Sequence, residues 1–94
     1  MGYELEFITK SFKEWNKLGS TIKEQFKRKL AERLELPRIE SARLSGMTDC
    51  YKIKLRQVGY RLVYQVKDKK LVVLVLVVGK RERNSVYKSA IQRI

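Results

Sequence analysis

Residues 71–78, LVVLVLVV, form an unbroken apolar run. A half-buried strand alternates apolar with polar residues. A short, valine-rich run without alternation predicts a strand buried on both faces. A buried helix is the rival reading, but the run is short and β-branched, and Gly79 ends it. Such a strand needs partner strands along its edges and helices over its faces. At the start of the chain Tyr3, Leu5 and Phe7 alternate with Glu4 and Glu6, which predicts a first strand with one wet side. Thr9 or Ser11 is then placed to cap a helix carrying Phe12, Trp15 and Leu18, stopped by Gly19. Thr21-Ile22-Lys23-Glu24 is a capping-box pattern that restarts a helix. Ile22, Phe26, Leu30 and Leu34 make its apolar stripe, and Pro37 ends it. The two helices predict a hairpin lying on one sheet face, with Phe12 and Trp15 in the core.

Residues 38–49 are of mixed composition and read as a loop. Residues 51–55 and 60–66 predict a β-hairpin. A two-residue turn at Val58-Gly59 would pair Gln57 with Tyr60, Arg56 with Arg61 and Lys54 with Val63. Lys52, Lys54, Arg56 and Arg61 then share one face, while Tyr51, Ile53, Leu55, Leu62 and Tyr64 take the other. A slip of one residue would put the cations against the apolar face. A turn at residues 67–70 returns the chain into the apolar run. In the tail, Asn84 or Ser85 caps a short helix whose face draws on Val86 or Tyr87, Ala90 or Ile91, and Ile94. A helix this short is marginal unless it packs on the body or a partner. The expected fold is α+β, one domain over residues 1–94. It has a small twisted, mostly antiparallel sheet, an N-terminal helical hairpin and a short C-terminal helix.

Charge changes this picture. The chain has 22 Lys+Arg against 10 Asp+Glu, a formal net charge of +12. Such an excess costs self-repulsion and implies a polyanionic partner, with nucleic acid first and an acidic protein or anionic membrane surface behind it. No apolar segment approaches the length of a membrane span. The N-terminal MGYELEF is charged and alternating, so no signal peptide is expected and a cytoplasmic protein fits. Cys50 is a lone cysteine and reads as a small buried hydrophobe; neither a disulfide nor a common metal site is expected. There is no histidine, so any acid–base chemistry must use other side chains.

Alternating lysines on a strand ordinarily mean a solvated sheet face. Three features point further. Like charges directly opposite one another destabilise a sheet unless an anion relieves them. Arg81 and Arg83 leave the apolar strand where they can border the same face. Tyr87, a few residues on, can stack on an unpaired base. Together they describe a site for a single-stranded phosphodiester. RNA can be cut there without a metal, by its own 2′-hydroxyl, given a base, an acid for the leaving oxygen and cations for the transition state. A lysine can be the base if neighbouring cations lower its pKa. Such a site is weak on free RNA, so a host machine must hold the substrate in attack geometry. Lys23, Lys27, Arg28 and Lys29 on the second helix read as a solvated face or a secondary backbone contact.

The stretches KEWNKLGSTIKEQFKRKL, ELPRIE, DCYKIKLRQVGYRLVYQV and VGKRERNSVY resemble the RelE family of bacterial toxins from type II toxin–antitoxin systems. The resemblance covers essentially the whole chain. It implies a ribosome-dependent endoribonuclease that cuts messenger RNA in the ribosomal A site, without cofactor or metal. It also implies an acidic antitoxin that neutralises the toxin and links it to operator DNA. By position the family's catalytic set falls on Lys52, Lys54, Arg61, Arg81 and Tyr87. Lys54 would be the base, Arg81 the acid, Lys52 and Arg61 the phosphate clamp, and Tyr87 the stacking ring. Arg56, Lys80 and Arg83 would assist substrate binding. Ser45 departs from the basic residue of close relatives, with Arg43 nearby. Displacement of the tail is an expected route to inhibition. A gyrase-directed toxin of the same superfamily and a non-enzymatic RNA- or protein-binding module are the alternatives. The basic set argues against the gyrase toxins, which generally lack it.

Overall fold

The computed structural model describes residues 2–82 and 84–94. The valine-rich run becomes the interior strand of the sheet. Strands β1 (Glu4–Phe7), β2 (Cys50–Leu55), β3 (Tyr60–Lys67) and β4 (Val72–Lys80) lie in the order β1-β4-β3-β2. β4 pairs antiparallel with β3 and parallel with β1, and β3 pairs antiparallel with β2. A strand with neighbours on both edges and layers on both faces has no wet side, which is why its sequence does not alternate. The run starts one residue late. Leu71 lies in the preceding turn at φ 54° and is 45% exposed.

Helices α1 (Thr9–Asn16) and α2 (Ser20–Glu35) cover one face, and α3 (Ser85–Arg93) the other. Trp15, Phe26 and Leu30 meet Tyr51, Ile53, Leu55, Leu62, Tyr64, Val73 and Val75 in the larger core. Val86 and Ala90 meet Met47, Cys50, Val63, Leu76 and Val77 in the smaller one. Phe12 is not a core residue. It is 51% exposed and packs edge-on against Phe7, because the buried face of the short α1 is taken by Ser11 and Trp15.

The helix ends differ from their sequence signals. α1 stops at Asn16, and Gly19, at φ −69°, is the N-cap of α2 rather than the stop of α1. Neither the Thr9/Ser11 cap nor the Thr21–Glu24 box forms, since the N-caps are Ile8 and Gly19 with no side-chain cap bond. Ser11 instead points inward and donates to the Val75 carbonyl at 2.7 Å. That oxygen lies at the end of the β1–β4 ladder and also accepts the Ile8 N–H at 3.3 Å, so Ser11 is its second and shorter donor.

The β2–β3 register also differs from expectation. Leu55 pairs with Tyr60, Lys54 with Arg61 and Lys52 with Val63, so the connection is the four-residue turn 56–59. Gly59 supplies a positive φ of 72° and donates to the Leu55 carbonyl at 2.9 Å. The shift is by an even number, so every side chain keeps its expected face.

Candidate active site

β2 turns Tyr51, Ile53 and Leu55 into the larger core and Lys52 and Lys54 to the opposite face. β3 brings Arg61 directly across from Lys54. The like-charge opposition expected between Arg56 and Arg61 therefore falls on Lys54 and Arg61. Across the other side of β3, Arg61 faces Gly79, which has no side chain. Val86 of α3 uses that space, standing 3.4 Å from where a Cβ would be.

A bulge sets the direction in which the end of β4 presents its side chains. Tyr64 pairs with Val75 but Val63 with Val77, leaving Leu76 as the extra residue. Val73 and Val75 belong to the helical-hairpin core, Leu76 and Val77 both belong to the α3 core, and Val78 returns to the first. The inverted alternation carries Gly79, and Arg81 beyond it, onto the α3 face. Arg81 continues the ladder, its N–H donating to the Gly59 carbonyl, and its side chain is exposed. Without the extra residue, Arg81 would fall on the hairpin side.

α3 completes the constellation. Tyr87 accepts a hydrogen bond from Arg61 Nη1 at 2.9 Å, with the guanidinium carbon 5.5 Å from the ring centroid. Among the described residues Lys52, Lys54, Arg61 and Arg81 make no ion pair. The charge of Lys52 lowers the pKa of Lys54, aided by partial desolvation and by Arg61 and Arg56. Three cations thus stand on adjoining strand positions, with no carboxylate of the described residues bonded to them, an arrangement that concentrates positive charge on one face.

Lys52, Lys54, Arg61 and Tyr87 thus come together, with Arg81 at the strand end beside them. Arg56 lies in the exposed turn 56–59. Lys80 goes to the other face, its ammonium 6.0 Å from the Tyr60 ring centroid. Arg83 lies outside the described residues. Ser45 is exposed in the loop before β2, and Arg43 pairs with Glu40 at 3.5 Å. Among the described residues no three His, Cys, Asp or Glu side chains gather as a metal site, and no helix is long and apolar enough to cross a membrane.

Supporting contacts carry no signal in the sequence. Arg33 of α2 reaches under the sheet edge and donates to the Lys52 carbonyl at 3.0 Å and to the Tyr64 hydroxyl at 2.8 Å. Arg93 pairs with Glu14, 79 residues away. Both are partnerships of tertiary structure, invisible to local spacing.

The description "ParE toxin of type II toxin-antitoxin system, parDE" belongs to a family model that matches residues 5–85. The mRNA interferase toxin RelE of Escherichia coli K12 is 63% identical over 94 residues, spanning 100% of this chain and 99% of that protein. A doubly substituted E. coli RelE toxin in the free state superposes with a TM-score of 0.92 at 61% identity, covering 100% of this chain and 99% of the other. The toxin of the intact E. coli RelBE toxin–antitoxin complex gives 0.83 at 64% identity, over 86% of this chain and 99% of that one.

Proposed function

The chain belongs to the ParE toxin family of type II toxin–antitoxin systems, on its RelE side, and from that membership we propose that it is an mRNA interferase. It acts in the cytoplasm on messenger RNA held in the A site of a translating ribosome. The supporting observation is the pairing of Lys54 with Arg61 on the face that Tyr87 borders.

We assign the following steps to the residues of that face and its border. The 2′-oxygen attacks the adjacent phosphorus, and its proton passes to the Lys54 amine, which Lys52 keeps less basic than an ordinary lysine. The new P–O2′ bond forms as the P–O5′ bond breaks, leaving a cyclic phosphate and a 5′-hydroxyl. Arg81 stands at the strand end as the donor to the leaving oxygen. Lys52 and Arg61 stabilise the charge on the phosphorane-like transition state. Tyr87 stacks on a base and fixes the in-line geometry. Arg56 adds a cation beside the RNA from the exposed turn 56–59, and Arg83 is assigned to substrate binding by its position in the sequence alone; Lys80, turned to the other face, takes no part in that contact. The ribosome contributes orientation, the part of the barrier that a small open site does not remove.

An antitoxin is the second partner, as in the E. coli RelBE complex. A net charge of +12 calls for an acidic one. Through it the toxin reaches operator DNA, and it inhibits by displacing α3 with Tyr87.

The test is cleavage of a programmed ribosome complex, with transcript ends mapped and the same RNA free of ribosomes as control. Cutting within the A-site codon only on the ribosome is the expected result. Strand breaks in DNA before any fall in translation would instead select the gyrase-directed activity.

A further inference from the structure

We propose that Arg93 and Glu14 form a positioning pair that holds α3, and with it Tyr87, over the cationic face. This rests on the role given to Tyr87 above. α3 has little of its own to hold it. It is nine residues long, and its buried side chains are Val86 and Ala90. Ile91 and Ile94 turn outward, 58% and 54% exposed. A helix this short does not persist in water unless it is anchored.

The anchor sits at the end opposite Tyr87. Arg93 grips Glu14 through two bonds, Nη1 to Oε1 at 2.9 Å and Nη2 to Oε2 at 3.0 Å. Nη1 also donates to the Leu76 carbonyl at 2.8 Å, and Glu14 Oε1 accepts the Val78 N–H at 3.1 Å. Those backbone groups lie where β4 has lost its outer neighbour. β1 covers β4 only as far as Val75, and the bulge at Leu76 comes at once. One ion pair therefore supplies partners to the bare strand edge and ties α1, β4 and α3 together. It is also shielded, with side-chain exposures of 15% and 30%, against 39–80% in the other ion pairs of the described residues. α3 is fixed at two points: Arg93 at its last turn and Tyr87 on Arg61 at its first. A rod held at both ends keeps its ring in one place; released at one end, it frays and swings.

The experiment combines Arg93→Met, Arg93→Lys and Glu14→Gln with amide hydrogen exchange and ribosome-programmed cleavage. Arg93→Met is expected to speed exchange over residues 86–91 by about tenfold while β3 and β4 stay as protected as before. The cleavage rate should fall toward that of Tyr87→Ala. In a Tyr87→Ala background, Arg93→Met should then cost nothing more, because both act through one ring. Arg93→Lys, which keeps the charge, should recover part of the loss. Glu14→Gln keeps an acceptor for Val78 and loses the charge, so it should loosen α3 without loosening β4. Unchanged exchange in α3, or Arg93 and Tyr87 losses that multiply, would overturn the proposal. A wild-type chain that leaves the ribosomal message uncut would overturn the function reading alone. Exchange in α3, and the NMR shift of the Tyr87 ring in Arg93→Met, would still decide whether the pair positions it.

Discussion

Lys54 shows how one residue acquires chemistry from its neighbours. Its ammonium shares a strand face with Lys52 and lies across from Arg61, and Lys52 contributes most to lowering its pKa. In the proposed mechanism, deprotonation at lower pH is what suits it to act as the base. The cleavage rate on saturated ribosome complexes should rise with pH through the Lys54 titration. Lys52→Ala removes the main cause, so Lys54 should titrate at higher pH and the rising limb should move with it. A ¹³C titration of the Lys54 side chain, compared with the pH–rate profile, checks both. Tyr64 is the structural counterpart on the other face. Its buried hydroxyl donates to the Pro37 carbonyl at 2.6 Å and accepts from Arg33, and burial raises its pKa. Tyr64→Phe leaves that carbonyl without its donor and should cost about 1–3 kcal/mol in urea unfolding.

Among the elements, the apolar stripe of α2 did what its spacing implies. Phe26 and Leu30 are 0% and 1% exposed and fill the space between the helical hairpin and the sheet. Phe26→Ala should destabilise the fold by about 3–5 kcal/mol, measured by denaturant unfolding. That is a large share of the roughly 5–15 kcal/mol that holds a domain together, so toxicity should fall through loss of folded protein. The helix caps were less legible. A Thr-x-x-Glu pattern offers local bonds, but here the chain enters α2 from Gly19 and those bonds are not made. The bulge in β4 left no mark in a run of valines and leucines, because every residue there is apolar whichever face it takes. Yet that one extra residue sets the side on which Arg81 emerges.

Over the molecule as a unit, a polar clasp closes the end away from the cationic face. Arg38 bonds Asp49 at 2.9 Å and Asp68 at 2.6 Å, and Asp68 also accepts from the Tyr3 hydroxyl at 2.7 Å. The Tyr3 hydrogen bond and then Arg38 lower the Asp68 pKa. A carboxyl with a depressed folded value adds stability above its unfolded pKa and loses it as pH falls through the folded one. Asp68→Asn should therefore flatten the acid limb of the stability profile and leave neutral cleavage intact, as thermal unfolding against pH would record. The excess of cations acts across the same distances, and RNA binding should weaken as salt rises.

Local pattern in the chain was enough for the classes of element, the interior place of the valine-rich strand, the two faces of the β2–β3 hairpin and the basic, histidine-free character of the site. These come from periodicity and composition, which survive a register error of two. The folded arrangement was needed for the rest: the parallel seat of β1, the four-residue turn, the exposure of Phe12, the side taken by Lys80, and the contacts of Arg33 and of Arg93 with Glu14. Each depends on which groups far apart in the chain find one another once the backbone's unpaired donors and acceptors must be satisfied, and no local spacing records that choice.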